Sequence, residues 1–210
     1  MTDRTVILAN GEFPRRPDLL TLLRRAETVV CCDGAARKLL EFGREPDWIV
    51  GDLDSLAPEL KARFADRTVQ FAEQETNDLA KTFRFCRGRG MKPAAVLGAS
   101  GGREDHLLGN LSRFAECAEP GCRLYTESGF FVAFTGRGRF SGPAGQAVSI
   151  FSFDPAQKIT SDGLKYPLRE LCLSRWHAGT LNEIAAPEFS LTASTDTPVL
   201  LFFSETSPCF

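Results

Sequence analysis

The chain has 210 residues, 43% hydrophobic and 25% charged, with a formal net charge of −2 and a pI of about 5.8. That length supports one large or two small cores, and so weak a charge leaves no basic field for a nucleic acid or a membrane surface. No apolar stretch approaches the ~20 residues needed to span a bilayer, and residues 1–4 lead straight into a strand rather than a targeting segment, so a cytoplasmic location is expected.

The first half alternates short β-branched apolar runs with helical spacing. Strands are expected at 5–9, 28–32, the run ending at Gly51, 68–71, 94–97 and 124–126. Helices are expected at 18–26 with Asp18 as N-cap, and at 36–42, closed by Gly43. Three more follow at 58–65, 79–87 (with a side-chain oxygen of the 75–78 segment capping its first turn) and 107–117. Strands joined by helical crossovers make a doubly wound, largely parallel sheet, and such sheets collect ligands beyond the carboxyl ends of their strands. Asn10, Asp33, Asp52, Asp54 and the Gly98 to His106 loop all fall at strand ends.

Beyond about residue 128 the runs at 130–135, 146–153, 158–161, 170–173, 188–191 and 199–203 are short, β-type and separated by Gly, Pro, Ser and Asp. An antiparallel β-sandwich without helices is expected there, with the 136–139 and 142–145 segments as hinge and turns. The organisation is therefore a residue 1–128 α/β domain followed by a 129–210 sandwich.

Gly51-Asp52-Leu53-Asp54 ends a buried run and presents two carboxylates two positions apart. In a locally extended segment they share a face, and like charges that close either raise a pKa or recruit a hard divalent ion such as Mg²⁺. Asp33 and Asp78, each individually an N-cap candidate, bring the acids at element ends to four. Gly98-Ala99-Ser100-Gly101-Gly102-Arg103 is a strand-to-helix loop whose glycines let backbone N–H groups approach a phosphate, with a guanidinium added. It is neither a Walker A loop nor a Gly-x-Gly-x-x-Gly fingerprint. Asp105 and His106 follow at once. Acids facing such a loop suit nucleotide–Mg²⁺ chemistry, because metal and arginine both neutralise charge on a transferring group. Seven cysteines without Cys-x-x-Cys spacing read as free buried thiols, and two histidines, His106 and His177, exclude a multi-histidine centre.

Cys32-Asp33-Gly34-Ala35, Gly51-Asp52-Leu53-Asp54-Ser55, Thr76-Asn77-Asp78-Leu79-Ala80-Lys81 and Gly98 to His106 with Asn110 resemble the successive signatures of the thiamine pyrophosphokinases. The resemblance continues through Ser161-Asp162-Gly163-Leu164-Lys165-Tyr166-Pro167-Leu168 and Gly179-Thr180-Leu181-Asn182-Glu183. It implies a homodimer with an N-terminal nucleotide-binding domain and a C-terminal sandwich, transferring the diphosphate of ATP to the hydroxyl of thiamine with Mg²⁺ and releasing AMP. On it, Asp33, Asp52, Asp54 and Asp78 surround the metal, and Asn10, Asp33, Gly34, Gly98, Gly101, Gly102, Arg103 and His106 bind ATP. Asp54, Asp78, Arg103 and Asp105 serve the reaction, while Asp78, Ser161, Trp176 and Asn182 contact thiamine. Two departures stand out: Glu75-Thr76-Asn77-Asp78 where the family commonly has Asp-x-Thr-Asp, and Leu181 where a serine precedes the asparagine. A transferase acting on another heterocyclic alcohol, a phosphatase and a non-catalytic binding protein are the rival readings.

Overall fold

The computed structural model describes residues 5–205; residues 1–4 and Cys209 lie outside them. It divides into two units, one running to Glu127 and the other beginning at Ser128.

In the first unit, strands β1 (Thr5–Leu8), β2 (Thr28–Cys32), β3 (Trp48–Gly51), β4 (Thr68–Gln70), β5 (Pro93–Leu97) and β6 (Arg123–Thr126) alternate with helices. The helices are α1 (Pro17–Arg25), α2 (Ala35–Glu41), α3 (Pro58–Arg63), α4 (Asp78–Gly88) and α5 (Glu104–Cys117), and a 3₁₀ turn, Ala65–Arg67, follows α3. The strands lie in the order β6-β5-β1-β2-β3-β4 and every pair is parallel. β1 sits between β2 and β5, so the order reverses beside it, which opens a crevice at the carboxyl ends of β1 and β5. Burial explains the sequence texture: β1 and the last four residues of β2 are wholly buried, as strands covered on both faces must be. Val6, Leu8, Val29, Cys31, Ile49 and Leu97 join Leu19, Leu23 and Leu39 from the helices in one core.

Helix starts differ in their chemistry. Asn77 caps α4, its Oδ1 accepting from Ala80 N–H at 3.0 Å, so the cap expected within the 75–78 segment falls on Asn77 and not on Asp78, which lies in the first turn; Asp33 does not cap α2, whose N-cap is Gly34. The expected Asp18 cap is not found: α1 opens on Pro17 after Arg16, and Asp18 lies in the first turn paired with the Arg16 guanidinium at 2.6 Å. Proline at the first helical position needs no cap for its missing N–H.

The second unit contains two antiparallel four-stranded sheets. One has the order β12 (Asn182–Glu183), β9 (Ala147–Ser152), β14 (Val199–Ser204), β7 (Gly129–Phe134). The other has β11 (Leu171–Cys172), β10 (Lys158–Asp162), β13 (Glu188–Ala193), β8 (Arg137–Ser141). Phenylalanines join the two: Phe140 and Phe189 of one sheet lie 6.3 and 5.9 Å, ring centre to ring centre, from Phe203 of the other. The segment expected as a hinge is strand β8, whose alternating Arg137, Arg139 and inward Phe140 are a strand signal hidden by the flanking glycines. The fold is thus α/β with a parallel sheet, followed by an antiparallel sandwich. Among the described residues no helix is long and apolar enough to cross a membrane.

Candidate active site

The crevice beside β1 is a cavity of about 800 Å³. Two loops frame it. After β1 the chain passes through Asn10 and Gly11, and after β5 through the glycine-rich segment. They are laced together by Gly11 N–H donating to Gly98 C=O at 2.7 Å and Glu12 N–H donating to Ser100 C=O at 2.8 Å. A Cβ on Gly11 would meet Gly98 O at 2.5 Å and Ser100 O at 2.6 Å, so only glycine permits this lacing. Gly98, Gly101 and Gly102 all have φ between 67° and 89°, a region closed to most side chains. Lys38, reaching from α2, donates to Asn10 C=O at 2.9 Å and Gly11 C=O at 2.6 Å and so pins the first loop. No local pattern announces Lys38, because its partners lie 27 and 28 residues away.

Opposite the glycines stands an acidic trio. Asp33, Asp52 and Asp78 offer ligand oxygens that all lie within 4.8 Å of one another. Asp33 follows β2, Asp52 follows β3 and Asp78 opens α4, so the parallel sheet gathers residues distant in sequence. Gly51 makes the approach possible: a Cβ there would sit 2.9 Å from Asp33 Cβ and 3.2 Å from Asp78 Oδ1. Asp33 is only 2% exposed; its Oδ2 accepts from Ser55 N–H at 3.0 Å and its Oδ1 is buried without a partner. Burial pushes the Asp33 carboxyl up, opposed by the Ser55 hydrogen bond and reinforced by the Asp78 and Asp52 charges. Asp78 is raised as well, by burial and then by the Asp52 charge. Burial acts upward on Asp52 too, but the Asp54 N–H, the Lys81 ammonium and Gln74 together bring it below the ordinary value. Clustered acids with an orphaned buried oxygen fit a hard cation, which would satisfy that oxygen and relieve the repulsion.

Asp54 is not part of the trio. Leu53 is buried with φ 70°, which turns the chain out of the extended geometry expected of this segment. The two acids therefore do not share a face: Asp54 is exposed, and its backbone N–H donates to Asp52 Oδ1 at 3.2 Å.

Of the residues singled out in sequence, Asn10, Asp52, Asp78, Gly101, Gly102, Arg103 and His106 line the cavity. Gly34 packs under it; a Cβ there would meet Asn10 Nδ2 at 2.6 Å. Arg103 and Asp105 form an exposed pair at 2.6 Å, which holds Asp105 down to about 2 through the Arg103 hydrogen bond. Cys32 also lines the cavity, but burial lifts its thiol to about 12, so it stays protonated. Cys31, Cys86 and Cys122 are likewise buried, whereas Cys172 is exposed.

In the sandwich unit Ser161 Oγ accepts from Leu168 N–H at 2.7 Å, and Asn182 accepts from Tyr166 N–H at 3.1 Å while donating to Tyr166 C=O at 2.7 Å. Both side chains hold the 162–168 loop. Trp176, Tyr166 and Leu181 are exposed, and Leu181 has φ 59°.

A glycine loop and a carboxylate cluster at the switch point of a parallel sheet define a phosphate-handling α/β unit, here joined in sequence to a β-sandwich. The family model described as "Thiamin pyrophosphokinase, catalytic domain" matches residues 19–126, and that described as "Thiamin pyrophosphokinase, substrate-binding domain" matches residues 129–202. The chain belongs to the thiamin pyrophosphokinase family. It is 33% and 32% identical over 132 residues to thiamine pyrophosphokinases 3 and 1 of rice (Oryza sativa subsp. japonica); these matches take in 51% of the chain and 49% of each relative, about half the relatives' length. Among solved structures, the thiamin pyrophosphokinase family protein of Enterococcus faecalis superposes with a TM-score of 0.75 at 21% identity, covering 97% of this chain and 100% of that one. The thiamine pyrophosphokinase of Bacillus subtilis gives 0.70 at 22% identity, covering 96% and 99%. At such identities the likeness is one of fold.

Proposed function

We propose that this protein transfers the diphosphate of ATP to the primary hydroxyl of thiamine, yielding thiamine diphosphate and AMP. The observation that carries the reading is the meeting, in one cavity, of the glycine loop that can cradle phosphates and the acids Asp52 and Asp78, with Asp33 beside them. Family membership supplies the substrate class.

In this reading Asp33, Asp52 and Asp78 would hold Mg²⁺, and Asp54, exposed on the same turn, would serve the phosphates from outside the trio. When bound, the ion supplies neutralisation of phosphate charge. The backbone N–H groups around Gly98, Gly101 and Gly102 receive phosphate oxygens, Arg103 exchanges Asp105 for phosphate, and Asn10 and His106 line the nucleotide's berth, with Gly34 packed against Asn10. Attack of the thiamine oxygen on the β-phosphorus forms one P–O bond as the bond to AMP breaks, and the hydroxyl proton is released to solvent. Such transfers depend on positioning and charge stabilisation, so no nucleophile is required from the protein. The residue 1–128 unit would be the catalytic one. The 129–210 sandwich would bind thiamine, with Trp176 as a flat surface for the cationic ring and with Ser161 and Asn182 shaping the adjoining loop, and would form the homodimer. Six free cysteines among the described residues favour a reducing, cytoplasmic setting.

The test is an AMP assay on purified protein with ATP and Mg²⁺, with and without thiamine, and phosphorus NMR of the product. Thiamine-dependent AMP with a diphosphate ester is expected. AMP only with a different alcohol would move the substrate assignment, with Leu181 as the first residue to examine; no AMP with any acceptor would overturn the reading.

A further inference from the structure

Lys81 closes the Thr76 to Lys81 signature, and its part in the site is so far unaccounted for. It is 1% exposed, and its ammonium has two ion-pair partners, Asp52 Oδ2 at 3.4 Å and Asp78 Oδ1 at 3.5 Å. A lysine is almost never buried without a compensating charge. Here the helix fixes it: Lys81 lies one turn after Asp78 on α4, so its side chain is held against that acid, and from there it reaches the turn after β3. Three clustered carboxylates less one ammonium leave a residual charge of −2. One divalent cation cancels it; two would leave a partly buried cluster positive, with Asp33 shielded from water, which is costly.

We propose that Lys81 is a positioning residue that acts as a built-in counter-charge, setting the capacity of the Asp33–Asp52–Asp78 cluster at one divalent ion. It occupies the side of the cluster between Asp52 and Asp78, and leaves the partnerless Asp33 Oδ1 for the incoming ion. Any further ion needed for the reaction must then arrive on the nucleotide's phosphates. The inference rests on the metal reading above but not on the identity of the phosphate acceptor.

The experiment titrates the full chain with Mn²⁺ in the absence of nucleotide, followed by electron paramagnetic resonance of the free ion, for the wild type, Lys81→Met and Lys81→Arg. The wild type and Lys81→Arg should bind one ion per chain. Lys81→Met should bind a second ion, or the first at least about tenfold more tightly, because a unit charge at this range is worth more than that factor even at an effective dielectric of about 20. A merely structural role predicts the opposite, since a disordered cluster binds more weakly. Two ions in the wild type, or unchanged or weaker binding by a Lys81→Met protein that still melts cooperatively, would overturn the inference. Failure of Lys81→Met to fold leaves the wild-type stoichiometry as the deciding result. No Mn²⁺ binding by the wild type would overturn the metal reading along with it, whereas one ion in the wild type with no gain in Lys81→Met sinks the Lys81 role alone.

Discussion

Asn77 and Asn110, 33 residues apart in sequence, are joined by an amide hydrogen bond of 3.0 Å, Asn77 Nδ2 donating to Asn110 Oδ1. Asn110 in turn donates to Ala99 C=O at 2.9 Å, while Asn77 caps α4. The start of α4, where Asp78 stands, is thereby tied through α5 to the glycine-rich loop. The Asn77 amide thus has a partner besides the helix it caps. Asn110→Leu should cost about 1–2 kcal/mol of stability for the bonds lost and raise KM for ATP by roughly tenfold. Denaturant melts and ATP-dependent initial rates check both numbers; a normal KM would separate the two halves of the site.

Asp33→Asn keeps the acceptor for Ser55 N–H and tolerates the left-handed backbone, yet deletes the charge. Mn²⁺ binding should be lost and turnover fall by at least about 10²-fold, the scale on which removed electrostatic stabilisation is felt. The pH dependence has a definite sign. Asp33 is raised above its ordinary 3.8 in the fold, so between the unfolded and folded values the native state holds more protons, and stability falls as pH rises through that window. In chelator, the wild type should therefore lose melting temperature relative to Asp33→Asn as pH is raised from about 4. A difference constant from pH 4 to 8 would contradict this.

Gly51→Ala places a methyl group against Asp33 Cβ and Asp78 Oδ1. Overpacking of this kind costs about 1–3 kcal/mol, and the separation of the acids should weaken Mn²⁺ binding by roughly tenfold or more. Calorimetric titration of the variant against the wild type measures it.

Trp176 is 55% exposed, so Trp176→Ala should leave stability within about 0.5 kcal/mol. If the indole faces the thiamine cation, KM for thiamine should rise roughly 3- to 30-fold, equivalent to about 0.5–2 kcal/mol of cation–π attraction, with KM for ATP unmoved. Steady-state kinetics with each substrate varied separately decides it.

Phe189 is 2% exposed and packs on Phe140 and Phe203 at 5.4 and 5.9 Å. Phe189→Ala should destabilise the sandwich by about 3–5 kcal/mol, seen in the urea midpoint followed by a probe in the sandwich unit.

The parallel sheet was legible in sequence because its central strands are short, mainly apolar and β-branched runs, as in Thr28–Cys32, and helices such as Pro17–Arg25 carry an amphipathic period. Strand β8 escaped because Gly136 and Gly138 dilute its alternation, and the two-residue β12 is defined only by its partner β9. For the site, the Asp-x-Asp spacing pointed at the right turn and overstated its geometry: the left-handed Leu53 separates two acids that alternation would have aligned. Asp33 and Asp78 could be suspected from their places at element ends. Lys38, Asn110's bond to Ala99 and the burial of Lys81 are long-range facts that no local window contains.

The backbone of Asp33 is left-handed, at φ 36°. Few residues besides glycine, asparagine and aspartate occupy that region without strain, so the fold admits a short list at this position. Every member of the list except aspartate lacks the charge. A gene copy freed from selection for catalysis can thus accept Asp33→Asn or Asp33→Gly and remain a well-folded protein. Silent relatives of this chain should be looked for at position 33, where loss of function and retention of structure are compatible in a single substitution.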